Sequence, residues 1–504
     1  MIILAVVSLA QFLIALDYSI VYLALPSMAR GLDLTPALAP WVVSAYAVLF
    51  AGFLVVGGRL TDRFGPARMF VLAIAVFGAA SGAGAAAGDA GMLLAARGVQ
   101  GLAAALLQPA VLGLIGTTFP AGPGRSRALA IWSAVGAGGL AAGVLLGGLL
   151  TVVSWRLTLL VNVPPAAFCA ILVACWRGRP DGGRRDGGRP DGGRREGRIP
   201  ATASALSTGA VITLVLGLTF GTAQGWGSGA ALGGLAAAVV LGLWFGRRER
   251  SSGSPLIGPA LRRIGSLRAG AAAAALYMAS VGSEFYLVTL LLQTMRHESP
   301  VRAGLAFLPL ALCVTAGATG TGRLAGRLGV TRTLATGFGL AVAGLGWLAW
   351  AAVALHADYL RGLLPGLLVS GVGHGIIYTA TFILGTRDVP ARQQGTASAL
   401  LTTAQYLAGA VTLAVLTLVL GRVPGYAGFG AAFAVTAAAA AGGAVTAVAR
   451  DRDRGAGRDG GLARDGGLAR GVTASAAAAS SCGPRDAGCG RPTSPGETSS
   501  PRAH

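Results

Sequence analysis

Apolar runs about as long as a bilayer is thick recur from the first residues to position 449, parted by short polar connections. They fall near 2–26, 39–58, 68–87, 91–118, 127–151, 155–176, 203–222, 229–246, 268–293, 301–322, 332–354, 362–384, 396–420 and 426–449. Most span roughly 18–25 residues, the length with which a helix crosses a ~30 Å hydrocarbon layer. A backbone can cross lipid only by closing its own hydrogen bonds, so each run predicts a helix. The fold class is an all-α polytopic membrane protein. Its even number of crossings puts both termini on one side.

A second pattern overlies the first. Gly58-Arg59-Leu60-Thr61-Asp62-Arg63-Phe64-Gly65-Pro66-Ala67-Arg68 reads as a short charged loop between two antiparallel helices. Gly322-Arg323-Leu324-Ala325-Gly326-Arg327-Leu328-Gly329-Val330-Thr331-Arg332 repeats it at a constant offset, 322 − 58 = 264. Such repetition predicts two homologous halves. The offset is longer than six helices need, so two more helices lie between the halves. The plan is a six-helix bundle over 1–176, a linker at 177–200, two extra helices with a loop over 201–262, a second six-helix bundle over 263–450 and a tail at 451–504. The Arg/Gly/Asp-rich linker and the Gly/Ser/Pro-rich tail predict disordered cytoplasmic segments.

Composition narrows the function. The chain is 54% hydrophobic and 12% charged, half the charge of an ordinary soluble domain. Its net charge of +21 invites a nucleic-acid reading, but there is no lysine, and the arginines collect in alternate loops and the tail. Arg59, Arg63, Arg125, Arg127 and Arg323 lie on one face, while the other carries a few such as Arg30 and Arg302. This is the positive-inside asymmetry: a multi-pass cell-membrane protein with cytoplasmic termini and no nucleic-acid partner. The five scattered cysteines and four histidines form no metal or disulfide spacing. No nucleophile–base pair suggests an enzyme.

An ionised group at mid-membrane costs several kcal/mol and needs a reason to be there. Asp17 lies roughly 24 Å into the first run, and Glu284 about as far into the ninth. Since 17 + 264 = 281, the two carboxyls stand about one helical turn from equivalence. Acids in such surroundings can load and release protons or attract a cationic substrate. Arg97 heads a stripe with Gln100, Gly101, Ala104 and Gln108 on the fourth helix; it can tune a carboxyl, clamp a neighbouring helix or snorkel outward. Ser370, His374 and Tyr378 share a face of the twelfth run. Tyr46, Gln100, Gln108, Tyr277, His374 and Tyr378 are candidates to line a cavity, joined by Tyr22, Tyr286 and Tyr406. Gly139, Gly143 and Gly147, one turn apart, offer a flat face for close helix packing. Gly58, Asp62, Arg63, Gly65 and Arg68 form a candidate gate, with Asp62 pairing locally or capping a neighbouring helix end as a latch.

The repeated corner resembles the signature loop of the major facilitator superfamily. Further stretches resemble its fourteen-helix drug:proton antiporter branch: Leu16-Asp17-Tyr18 through Pro26, Trp41-Val42-Val43-Ser44-Ala45-Tyr46, Arg97-Gly98-Val99-Gln100-Gly101, and Ser154-Trp155-Arg156 with Asn162-Val163-Pro164. In the second half Gln293, Ser299-Pro300, Ala303-Gly304-Leu305 and Pro309 fall where that branch has them. The branch's fifth-helix motif departs here, with Val144 where it carries proline. The resemblance implies two bundles facing across a cavity and a monomer exporting amphiphilic small molecules, such as drugs, on the proton motive force without a cofactor. Asp17 and Glu284 then couple to protons and Arg97 tunes them. A dedicated exporter of a metabolite the cell makes, and a non-transporting receptor on the same fold, are the alternatives.

Overall fold

The computed structural model describes residues 2–35, 38–177, 200–252, 255–356 and 358–449. The expected linker and tail fall almost wholly outside them. Fourteen described helices are long and apolar enough to cross a membrane: α1 Ile2–Gly31, α2 Trp41–Phe64, α3 Pro66–Ala85, α4 Ala90–Thr118, α5 Pro123–Val153, α6 Trp155–Cys175, α7 Ala201–Gln224, α8 Gly229–Ser251, α9 Gly265–Thr294, α10 Arg302–Leu328, α11 Val330–Ala354, α12 Tyr359–Thr386, α13 Ala391–Arg422 and α14 Gly425–Ala449.

Packing in the first six recurs in the last six. α1 lies on α5 as α9 lies on α13, α2 on α4 as α10 on α12, and α3 on α4 as α11 on α12. Between the halves α2 meets α13 and α5 meets α10, a pair that exchanges with itself when the halves are swapped. These are two six-helix bundles related as the repeat predicts. The extra helices are peripheral. α7 covers the seam where α2 meets α13, and α8 leans on α7 with Leu232, Val239, Leu243 and Trp244 exposed, a face suited to lipid.

The repeated corner is a correction to the sequence reading. It is not a loop: α2 continues as helix through Arg59, Asp62 and Arg63 to Phe64, and α3 starts at Pro66. Only Gly65 joins them, at φ +88°, a left-handed conformation that glycine adopts without a Cβ penalty. Pro66 then opens α3 where its missing N–H has no helical partner to lose. Gly329, at φ +82°, does the same between α10 and α11. Charge in the last turn marked the membrane edge rather than the helix end.

One buried apolar cluster knits both halves together at the arginine-rich face: Val7, Leu107, Ile115 and Trp132 from the first pack with Phe382, Ile383, Ala397 and Leu401 from the second. Toward the opposite face the clusters separate, Ile20, Met28, Leu93 and Trp155 on one side and Leu291, Leu345, Leu363 and Phe429 on the other. The molecule is sealed at one end and parted at the other.

Candidate functional site

The parted end leads to a cavity of about 530 Å³ lined by both halves. Seven of the nine tyrosines line it: Tyr18, Tyr22, Tyr46, Tyr277, Tyr286, Tyr378 and Tyr406. Gln108 and His374 join them, so five of the six sequence candidates meet there. Tyr46 stacks on Phe50 at 5.9 Å, and Phe50 meets Tyr406 edge-on at 4.8 Å, closing a wall from α2 to α13. Below the cavity Trp132 stacks on Tyr378 at 5.6 Å and meets Phe382 edge-on, which begins the seal.

Asp17 sits behind this wall, fully buried. Arg97 donates from Nη1 to Asp17 Oδ2 at 2.8 Å. Asp17 Oδ1 accepts from Asn162 Nδ2 at 2.9 Å and from Gln100 Nε2 at 3.2 Å. Arg97 also donates Nε to the Val42 carbonyl at 3.0 Å, bonds Gln100 Oε1 at 2.9 Å, and lies over the Tyr46 ring at 4.7 Å. Gln100 completes the net by donating to Ser81 Oγ at 2.6 Å. Helices α1, α2, α3, α4 and α6 are thereby tied to one buried ion pair. Two expectations are corrected. Gln100 does not line the cavity, because its amide is held between Asp17 and Ser81. Arg97 does not snorkel: it is 1% exposed, drawn inward by Asp17.

Glu284 is built differently. Helix α9 breaks after Ala279, where Ser280 adopts φ −104°, ψ −103°; a short 3-10 turn follows, and Glu284 opens the second half-helix. Glu284 Oε1 accepts from Ser370 Oγ at 2.7 Å, while the buried Oε2 has no protein partner. Among the described residues no guanidinium pairs with it. The residue at the repeat offset from Arg97 (97 + 264 = 361) is Arg361, exposed at the start of α12. One turn along α12 from Ser370, His374 Nε2 bonds the Tyr277 hydroxyl and its Nδ1 is buried without a partner. The Ser370, His374 and Tyr378 face thus joins Glu284 to the cavity wall.

Asp62 reaches across the seal. Its carboxylate accepts from the Gly395 and Thr396 backbone N–H groups, each at 2.9 Å, and from the Thr396 hydroxyl. It occupies the N-terminus of α13, where unpaired N–H groups and the helix dipole favour an anion. Gly58 lies under the same contact, since a Cβ there would come within 2.8 Å of the Gly395 carbonyl oxygen. In α5, a Cβ on Gly139 would meet the Phe12 carbonyl oxygen at 2.6 Å and one on Gly143 the Leu16 carbonyl oxygen at 2.7 Å; Gly147 faces Ile20. That face seats α5 on α1 beside Asp17, and α5 runs unbroken from Pro123 to Val153.

Sequence reasoning passed over Ser81 and the role of Asn162 in holding Asp17. It also passed over Gln11, Ser133 and Gln405, which line the cavity from α1, α5 and α13. Small residues one turn along, Ala15 after Gln11, Gly136 after Ser133 and Gly409 after Gln405, were the available signal.

Comparison with known proteins agrees with this architecture. The Major Facilitator Superfamily model matches residues 7–202 and 193–413. A puromycin resistance protein of Streptomyces alboniger is 35% identical over 82% of this chain and 81% of its own length. A cephamycin export protein of Amycolatopsis lactamdurans is 35% identical over 82% and 83%. Among solved structures, a proton:xylose symporter superposes with TM-score 0.61 at 14% identity, covering 88% of this chain and 94% of that one.

Proposed function

The chain belongs to the major facilitator superfamily, and from that membership we propose that it is a proton-coupled exporter of amphiphilic small molecules. It is a multi-pass membrane transporter rather than an enzyme. The observation that carries the export reading is the tyrosine-rich cavity between two exchange-related bundles, sealed at one face and parted at the other. Rocking of the bundles about it presents cargo alternately to each side. The arginine-rich sealed face is cytoplasmic, with both termini there, so this arrangement faces outward. One copy of the chain encloses the whole cavity, which supports a monomer.

In this reading Asp17 and Glu284 carry the protons. Asp17 is held as the charged partner of Arg97, which tunes it. Glu284, with one oxygen bonded and the other bare in apolar surroundings, is geometrically suited to hold a proton in the outward arrangement. Asp62, flanked by Gly58, Arg63, Gly65 and Arg68, gates the cytoplasmic side. The energy suffices: one charge crossing 100 mV supplies about 2.3 kcal/mol, roughly a forty-fold cargo gradient.

The cargo of the relatives narrows the reading. Puromycin and cephamycin appear in their names, with tetracenomycin C in a third at 32% identity and multidrug resistance in another at 30%, which supports export of drug- and antibiotic-like molecules. Inverted membrane vesicles given an inward-acid pH gradient test both: accumulation of amphiphilic dyes and antibiotics is expected. Failure to accumulate any of them would leave a receptor on this fold as the better account.

A further inference from the structure

The cavity has two ends of different chemistry. Gln11, Gln108, Ser133 and Gln405 come from four helices, yet all lie at one depth. They stand nine residues from Ile2 (11 − 2), ten from Thr118 (118 − 108), ten from Pro123 (133 − 123) and eleven from Gln394 (405 − 394), where the 3-10 turn that opens α13 gives way to α-helix. That is roughly 14–17 Å above the sealed ends of their helices. All four line the cavity and are at least nine-tenths buried. Gln11 Oε1 and Ser133 Oγ are buried with no protein partner, a cost that a bound donor would remove. Tyr277, Tyr378 and Tyr406 flank that level, and nearer the mouth the lining is Tyr18, Tyr22, Tyr286, Phe285 and Phe307, with Gln293 at the rim.

No Asp, Glu or Arg side chain is among the described lining residues. The acceptor sites of Asp17 are occupied by Arg97, Gln100 and Asn162, and Glu284, bonded to Ser370, is not among the described lining residues. An organic cation would shed its water here for neutral amides, hydroxyls and tyrosine faces with no carboxylate to balance its charge, a weak replacement for hydration. We propose that the cavity takes uncharged, flat aromatic molecules whose hydroxyl and carbonyl groups seat on the Gln11, Gln108, Ser133 and Gln405 floor, with the ring system toward the mouth. The four side chains supply donors and acceptors together, which matches a substituent edge of mixed hydroxyls and carbonyls. The assignment rests on the export reading only in taking this cavity as the cargo site.

The test is equilibrium binding of three flat probes to the full chain in lipid nanodiscs, corrected with empty discs: a dihydroxyanthraquinone, anthracene and ethidium. The dihydroxyanthraquinone should bind about tenfold or more tighter than ethidium. Gln108→Leu combined with Gln405→Leu should weaken it about tenfold, the effect of one or two hydrogen bonds. Anthracene should change less than about twofold, which also reports that the paired variant is folded. Ethidium binding as tightly as the dihydroxyanthraquinone, or equal weakening of dihydroxyanthraquinone and anthracene, overturns the floor. The two readings fail separately. Floor-dependent binding without gradient-driven accumulation in vesicles removes export alone, and pumping of ethidium in preference to neutral probes removes the floor alone.

Discussion

Asp62 and Thr396 are 334 positions apart in sequence, yet the Asp62 carboxylate takes the Thr396 backbone N–H at 2.9 Å and its hydroxyl as well. One residue of the first half thus caps a helix of the second, and the capping contact exists only while the sealed face is closed. A cap of this kind is worth about 1–2 kcal/mol. Asp62→Ala should therefore raise the population of the arrangement parted at this face roughly 5–30-fold. Spin labels at Thr118 and Arg392, both exposed beside the seal, would read it: a longer-distance population should grow in the variant. An unchanged distance distribution would mean that the contact is incidental to gating.

Asp17 and Arg97 should behave as a unit. Asp17→Asn leaves a buried guanidinium without its counter-charge, a loss of about 3–5 kcal/mol. Arg97→Gln together with Asp17→Asn should recover a large part of that stability, because no uncompensated charge remains. Transport should stay lost. Denaturant unfolding in detergent checks the first statement and vesicle accumulation the second; simple additivity of the two single substitutions would contradict the pairing.

Glu284→Gln presents the opposite case. Glutamine keeps an oxygen for Ser370 and brings no charge, so stability should change by less than about 1 kcal/mol. Coupling should go: gradient-driven accumulation falls to background while cargo-for-cargo exchange continues. A variant that exchanges but still pumps would remove Glu284 from the proton path.

Gly143→Leu tests the α1–α5 seat. The added carbons meet the Leu16 backbone beside Asp17, and such overpacking costs about 1–3 kcal/mol. A lowered thermal midpoint with weakened transport is expected. At Gly148, where a Cβ would meet nothing, the same substitution should be mild.

Much of this fold was legible in the sequence because hydrophobic length and arginine position obey bilayer physics. The ends of the fourteen spans came within six residues, and the 264-residue repeat foretold two related halves. The corner at Gly58–Arg68 misled because charge ends a membrane span without ending a helix, so α2 runs on to Phe64. The site was legible by type but not by partner. Spacing placed Arg97 and Gln100 on one face, yet whether that face met the cavity or α1 depends on packing between helices distant in sequence. The unequal treatment of Asp17 and Glu284 was hidden for the same reason: Arg361 holds the matching sequence position but stands exposed at a helix start.

The central claim is that cargo and proton compete through these two buried acids, and the most direct measurement is proton release on cargo binding. Purified protein in weakly buffered detergent solution, with a pH-indicator dye, is titrated with a dihydroxyanthraquinone. Wild type should acidify the medium as the probe binds, since linkage makes the exclusion mutual, and Glu284→Gln should bind the probe with the release diminished or gone. Binding without any release in wild type, or the same release from Glu284→Gln and from Asp17→Asn, would contradict the account.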